Sequence, residues 1–461
     1  MKDIIVHFDP TRTLKSLRIN DLEFGTNGNP IHGEKGSKKA GASAVYVQIN
    51  DYVIPTNDII SCEINTDGFL PELYLTIGDS TGLLLNNSYP VDGDQINLLI
   101  RSINSDFKNI RCDFRIMNVA SYPAVNGDSI FSMIAILDIP ELYNDRIVSF
   151  GKDTSLNTLK KIAKELQLGF ASNVTATNDE MVRLCANTSY IDFILNDVIQ
   201  SAYLDDDSFF TCYIDINYNL CLVEVNELLI NNNSLEKITN TTWSMDWGYD
   251  DPEKTPFLSD FIMSNHKDLG ATLNYITAYS LENNSGDSFM KHGYLSTLIY
   301  YDKKNEKIKD FFVESLNDPS TTSDRIILKG RKDEDHRSLI KNYYFNDMFV
   351  DNVHKNYYYA KINNNINLEN INKVNLKITT AAVNPAISKF KIIPIQIVNV
   401  SKTYIDWENN TSAGSDQYSI NKLLSDFYVA TGISYIYDSS KKYLYQMVNC
   451  SKREFSRLVN S

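Results

Sequence analysis

The chain has no apolar run near the eighteen or so residues that a membrane-spanning helix needs. It also lacks a surplus of positive charge and any catalytic signature. Its 44 Lys and Arg stand against 58 Asp and Glu, a formal net charge of −14. That balance argues against a protein that grips nucleic-acid phosphates, which needs clustered Lys and Arg. It leaves open a surface that nucleic acid slides past without sticking. Met1 to Pro10 is interrupted by Lys2, Asp3, His7 and Asp9, which is not the pattern of a signal peptide.

Six cysteines, Cys62, Cys112, Cys185, Cys212, Cys221 and Cys450, are widely spaced, and no CxxC or metal-ligand spacing occurs. They read as buried, reduced thiols, although Cys212 and Cys221 could face each other across a hairpin. His266, His292, His336 and His354 never form HxH or HExxH and read as surface or packing residues. Asp205-Asp206-Asp207 has no acidic residue following at an EF-hand interval, so a solvated turn is the better reading than a metal cluster. Gly33 to Lys39 has no Gly-Lys-Ser/Thr at Walker spacing, and neither GxSxG nor a Cys–His–Asn signature appears. Glu334-Asp335-His336 reads as a charged loop. Paired carboxylates for sugar hydrolysis stay open, because 58 acidic residues always supply some pair. No catalytic, cofactor-binding or metal residue is assigned, and no cofactor is expected.

What is present is a folded, strand-prone chain. Hydrophobic residues make up 43 % and charged residues 22 %, ordinary for a protein with a sizeable core. The 28 Tyr and 21 Phe favour strands; abundant Asn, Ile, Lys and Tyr also fit an AT-rich genome and are discounted. At 461 residues the length suggests roughly three domains.

Taken in order, residues 1–40 read as an extended arm and flexible linker. From Ala44, strands come at regular spacing: Val45–Ile49 and Tyr52–Ile54 around Asn50-Asp51, then Ile59–Ile64, Leu73–Ile77, Ile96–Arg101, Cys112–Val119 and Ile130–Leu137. With no helix between them, 41–150 is predicted to be a closed or nearly closed antiparallel barrel. Residues 236–350, with Trp243 and Trp247 and an aromatic segment Tyr294–Tyr301, read as a mixed strand and loop insertion. Residues 351–461 return to strands, at Lys373–Thr379, Ile392–Val398, Phe427–Ile433 and Tyr443–Val448, with a short helix predicted over Ser419–Leu424.

Between the strand-rich regions, Asp153 to Glu227 reads helix, helix, strand, strand. Asp153-Thr154-Ser155 supply caps; Leu156, Leu159, Ile162, Ala163 and Leu166 recur at helical spacing until Gly169. After a polar loop, Ser189 and Asp192 form a capping-box-like pair. Ile191, Ile194, Leu195, Val198, Ile199 and Ala202 make a second stripe. Phe209–Ile214 and Leu220–Val225 then form a hairpin around Asp215–Asn219. There is also an internal echo. Asp113 to Tyr122 matches Asp426 to Tyr435 with a one-residue offset at Gly432, and both are followed by a polar turn and an apolar strand. Two generic hairpins can match by chance; if the echo is real, the chain carries two copies of one barrel.

This order of elements resembles the phage tail baseplate hub proteins: contractile-tail hubs, late control D proteins and the hub part of type VI secretion spike proteins. Its most specific pieces are Ser155-Leu156 to Leu168-Gly169, the helix start Ser189-Tyr190-Ile191-Asp192-Phe193-Ile194 and the strand Leu220 to Val225. The resemblance covers 41–230 and 370–461. It implies a mainly β chain with α+β inserts, two similar antiparallel tube-type barrels (41–150 and 351–461) flanking an α/β spacer at 151–235. It implies a homotrimer whose pseudo-sixfold ring joins a hexameric tail tube, or a distal tail protein, to a trimeric central spike, among other baseplate proteins. DNA would pass transiently through an acidic lumen, without membrane insertion, and the protein would reside in the virion tail after assembly in the host cytoplasm. Two other readings compete. One is a receptor- or glycan-binding tail protein with aromatic platforms at Tyr294–Tyr301 or Tyr343–Tyr359, testable at Tyr357; the other is a hub-fused cell-wall hydrolase.

Overall fold

The computed structural model describes residues 4–15, 17–18, 43–102, 107–123, 129–206, 208–229, 262–266, 273–284, 353–371, 374–401, 417–421 and 423–452, with strand backbone at 295–302, 307–314, 325–326, 340–345, 405–406, 411–412 and 455–456. The described chain is mainly β, as expected; two of its helices lie between two strand-rich halves, and the longest, Tyr357–Asn370, lies within the second.

The arm is not free. Strand β1 (Ile5–Phe8) lies at the edge of a small sheet in the central unit. The first half then supplies β2 (Ser43–Ile49), β3 (Tyr52–Ile54), β4 (Ile59–Asn65), β5 (Glu72–Asp79), β6 (Gln95–Ser102), β7 (Ile110–Pro123) and β8 (Ser129–Leu137). Alternation does the sorting: Val45, Val47, Ile64, Leu73, Leu75, Ile77, Ile96, Leu98, Phe131 and Met133 are all buried on one face. Each such side chain contributes about 1.5–3 kcal/mol by leaving water.

The central unit begins with β9 (Arg146–Asp153) and helix α1 (Ser155–Glu165). Thr154 is the N-cap, its hydroxyl accepting from Asn157 N at 3.3 Å. The helix ends in a Schellman turn: Leu168 N donates to Ala163 O at 2.8 Å and Gln167 N to Lys164 O at 3.2 Å. The residue in the left-handed region is Gln167, at φ 58°, not Gly169. Gly169 is instead a close-approach site: a Cβ there would run into Asn219 Oδ1 and would lie 2.9 Å from Pro10 Cδ and 3.0 Å from Phe8 O. The stretch read as a polar loop contains β10 (Gly169–Ser172) and β11 (Met181–Thr188). Both were missed because β10 is only 4 residues long and β11 inverts the usual pattern, burying Arg183 while Val182 and Leu184 are exposed. Helix α2 (Tyr190–Phe193) runs on through a π-turn at Ile194–Val198, and Ser189 caps it as predicted. The hairpin of β12 (Phe210–Ile214) and β13 (Asn219–Glu224) completes a sheet in the order β1-β10-β13-β12, with β10 parallel to β13.

The second half opens earlier than its densest strand signals, with β14 (Met263–Ser264) and β15 (Ile276–Asn283). Helix α3 (Tyr357–Asn370), where no helix was predicted, precedes β16 (Val374–Thr380), β17 (Ile392–Gln396), β18 (Asp426–Asp438) and β19 (Tyr443–Lys452). Sequence periodicity could not find α3, because Asn side chains hold it in place. Asn364 Nδ2 donates to Ile199 O, Gln200 O and Ala202 O at 2.8–3.0 Å while its Oδ1 accepts Phe210 N at 2.9 Å. The helix predicted over Ser419–Leu424 is instead strand Gln417–Ile420 followed by a turn. There Asn421 Oδ1 accepts Leu423 N and Leu424 N.

Both halves share one sheet of thirteen strands. Its main path is β15-β16-β19-β18-β4-β5-β8-β7-β6-β2-β3; β17 adds to β18, and β14 to β17. Among the described pairings neither half closes on itself as a separate barrel. Instead the halves are welded where Ser434–Asp438 of β18 pairs with Ser61–Asn65 of β4.

Candidate functional site

The weld gives the molecule its most informative geometry, because the sheet repeats. Ranked by position in the chain, β2, β4, β5, β6, β7 and β8 lie in the order second, third, sixth, fifth, fourth, first. The set β14, β15, β16, β17, β18 and β19 lies in that same order. The local backbone repeats too. The β7–β8 ladder skips a residue between Ile116 and Asn118, and the β18–β19 ladder between Ala430 and Gly432. At the first bulge Ile116 N donates to Asp94 O and Gly93 N to Ile116 O; at the second Ala430 N donates to Lys391 O and Phe390 N to Ala430 O. Gly93 and Phe390 both have positive φ, 88° and 59°. Ile116 is therefore equivalent to Ala430, which shifts the sequence echo, aligned as Asp113 on Asp426, by one residue. Apolar strands align almost equally well in either register; the bulge decides.

The equivalence is broken in two ways: β14 runs parallel to β17 where β2 runs antiparallel to β6, and the sheet edges differ. In β18 the first residues pair with β17 and Ser434–Asp438 pairs with β4. In β7 the first residues pair with β6, but beyond Ile116 the side away from β8 meets no strand among the described residues. Correspondingly β4 has two neighbours, whereas its equivalent β15 has only β16 among the described residues. Each free edge carries exposed large side chains, Met117 (53 %) and Tyr122 (47 %) on β7 and Tyr279 (39 %) on β15.

Register also places the charges. On the face turned away from the core, Ile436, Glu63, Tyr74 and Ile134 stand side by side across four strands. In the next row stand Ser434, Asn65, Glu72 and Ile136. Glu282 lies opposite Asn375, and Lys377 opposite Ser280. Tyr74 Oη donates to Glu72 at 2.7 Å, and that bond to a carboxylate pushes the tyrosine pKa up.

Two buried polar devices hold the frame. The first is a clip on the β4–β5 turn. Lys389 Nζ, between β16 and β17, donates to Thr66 O (2.5 Å), Gly68 O (2.9 Å) and Asp67 O (3.1 Å) and lies 4.6 Å from the Tyr213 ring centre. Burial lowers its pKa to about 8. The same turn is tied to both sides: Thr66 N donates to Ile433 O at 2.9 Å, and Ile214 N to Phe69 O at 2.7 Å. The second is a wholly buried pair, Arg183 and Asp179, at 3.1 Å. Arg183 also donates to Ser201 Oγ (2.5 Å) and Ser155 Oγ (2.7 Å), and Ser155 N donates to Asp179 Oδ1. Burial pulls the Arg183 pKa down.

The residues singled out by sequence fall elsewhere. Asp205 Oδ1 accepts Ser208 N and Asp206 Oδ1 accepts Tyr203 Oη, a closed turn; Asp207 lies outside the described residues. His266 and His354 are buried, and His354 Nε2 bonds Ser201 O at 3.0 Å. His292, His336, Glu334, Asp335, Trp243, Trp247 and Gly33–Lys39 lie outside the described residues. All six cysteines are buried and unbridged; Cys212 lies opposite Leu222, and Cys221 opposite Tyr213. Tyr357 and Tyr358 are buried, and Tyr359 Oη donates to Asp206 O, so this end of the Tyr343–Tyr359 stretch docks a helix rather than offering an aromatic platform. Among the described residues no three His, Cys, Asp or Glu come together as a metal site. A cavity of about 360 Å³ opens beside Lys389, but Asp215 on its wall already accepts Asn217 N and Asn219 N.

No protein-family model matches the chain. No curated protein matches it either. Among solved structures, the chain is similar to the tail protein from Neisseria meningitidis MC58, at 9 % identity and a TM-score of 0.49 over 89 % of this chain and 97 % of that one. It is similar at 7 % identity and a TM-score of 0.49 to the 43 kDa tail protein of prophage MuSo2 from Shewanella oneidensis, over 89 % of this chain and 98 % of that one. A chain of the Francisella PdpA-VgrG complex is similar at 10 % identity and a TM-score of 0.44, over 96 % of this chain and 62 % of that one.

Proposed function

We propose that this chain is a structural tail component, a baseplate hub that assembles as a homotrimer. The observation that carries the reading is the six-strand repeat joined edge to edge inside one chain. A chain with two equivalent sets of strands, already linked head to tail and keeping, among the described residues, one free edge on each set, holds one complete contact and the two halves of another. Three such chains present six near-equivalent sheets, and closed cyclic symmetry satisfies every edge. A ring of that kind has sixfold character toward a hexameric tube, or a distal tail protein, and threefold character toward a trimeric spike.

In this reading 1–40 is the arm and linker, 41–150 and 351–461 carry the two tube-type repeats of the shared sheet, 151–235 is the spacer and 236–350 an insertion that also lends strands to the second repeat. The sheet face away from the core lines the lumen, with Glu63, Glu72 and Glu282 on it. Carboxylates there repel DNA phosphates, so a genome in transit forms no charge-paired contacts that would hold it. The role needs no catalytic residue.

The test is the mass in solution. Light scattering across a concentration series should give three chain masses, or a shift toward three on adding tube or spike protein. A strictly monomeric protein at high concentration, with and without those partners, overturns the reading.

A further inference from the structure

We propose that the free edge of β7 at Ala120–Tyr122 pairs antiparallel with the free edge of β15 at Ser280–Glu282 in a second copy of this chain, Ala120 facing Glu282 and Tyr122 facing Ser280. This specifies the contact on which the ring reading rests.

The register is carried over from the weld already present within the chain. Ile116 is equivalent to Ala430, and their partners across the bulged ladders are Ala135 and Cys450. Ala135 pairs with Leu73, and Cys450 with Leu376. Leu73 pairs with Ile64, and Leu376 with Leu281, so Ile64 and Leu281 are equivalent. Ile64 pairs with Tyr435, which follows Ala430 by the same interval that separates Ser121 from Ile116. Leu281 therefore falls opposite Ser121.

Chemistry at the two edges fits the transfer. Both run in exposed backbone flanked by Met117, Tyr122 and Tyr279, an arrangement that a protein acting alone avoids on an unpaired edge. Pro123 occupies the position of Tyr437, and having no N–H it ends the new ladder at Tyr122. In the weld Thr66 N donates to Ile433 O, so Ile433 and Thr66 are a hydrogen-bonded pair. The pairs one and three residues further, Ser434–Asn65 and Ile436–Glu63, are non-hydrogen-bonded, with their side chains closest. Their transferred equivalents are Ala120–Glu282 and Tyr122–Ser280, the positions where an inter-strand disulfide fits.

The experiment uses the full-length chain with Ala120→Cys and Glu282→Cys, and separately with Tyr122→Cys and Ser280→Cys. A control with Ser121→Cys and Glu282→Cys puts the two sulfurs on opposite faces of the same ladder. All four positions of the two test pairs are exposed, and the six native thiols are buried. Mild oxidation of the trimer should give reducible species of two and three chain masses, at least ten-fold more from the test pairs than from the control. A trimer that cross-links at neither pair, or equally in the control, overturns this edge pairing and leaves the ring reading standing. A monomer overturns both.

Discussion

Replacing Lys389 by Met tests whether the two halves and the central hairpin are held by one buried ammonium. Its pKa falls from the usual 10.5 to about 8, so keeping it charged in the folded chain costs roughly 3 kcal/mol. Against that stand three hydrogen bonds from a charged donor, at 2.5, 2.9 and 3.1 Å, each worth about 1.5–3 kcal/mol net. Contact with the Tyr213 face adds to them. Met keeps the stem's packing but forfeits the bonds and the cost together, which leaves a net loss of roughly 1.5–6 kcal/mol. At pH 7 the amides of Thr66 and Ile214, which bridge the turn to β18 and β12, should exchange with deuterium at least about ten-fold faster in the variant. A pH series adds an independent sign. Because the folded pKa is depressed, the folded chain binds fewer protons than the unfolded chain between about pH 8 and 10.5, and stability rises with pH across that window. The stability gap between wild type and Lys389→Met, read from urea midpoints at pH 7, 8.5 and 10, should therefore widen with pH. Amide protection within three-fold of wild type, or a gap that narrows with pH, refutes the clip.

Two further substitutions probe the frame. Gly169→Ala places a methyl against the Asn219 side-chain oxygen on β13 and against Pro10 Cδ and Phe8 O; the Asn219 amide can turn aside, whereas the Phe8 backbone cannot, so the arm should lift from β10. Trypsin should then cut at Arg12 and Lys15 at least ten-fold faster with the circular dichroism unchanged, and equal cleavage rates would show that the arm tolerates the methyl. Asp179→Ala strands the Arg183 guanidinium without its buried partner and should cost about 3–5 kcal/mol. Asp179→Leu with Arg183→Met should recover most of that in a thermal melt. A double variant as unstable as the single one would show that packing around Ser155 and Ser201, rather than the stranded charge, sets the loss.

Much of the frame was legible because strands bury every second residue. Val45, Val47 and Ile49, Leu73, Leu75 and Ile77, and Leu444, Val448 and Cys450 announce themselves through alternation. The caps at Thr154 and Ser189 were equally plain, since their function is local. What escaped was held by distant partners. Helix α3 is fixed by Asn364 bonds to carbonyls more than 150 residues away. Strand β10 is too short to show a period, and it depends on β1 and β13 for its hydrogen bonds. The candidate site was missed altogether, because Ala120, Ser121, Tyr122, Ser280, Leu281 and Glu282 carry no motif. They matter only as edges that no described strand pairs.

The sequence by itself determined that the chain is mainly β, that a capped helix pair and hairpin stand between two strand-rich halves, and that one hairpin echoes another. Tertiary structure decided that the echo is a six-strand repeat, that it is offset by one residue, and that the two copies share one sheet through β18 and β4. The reason is physical. Periodicity reports which face of a strand is buried, and that is written locally in side chains. Which strand lies beside which, and in what register, is settled by backbone N–H and C=O groups that every residue but proline carries alike.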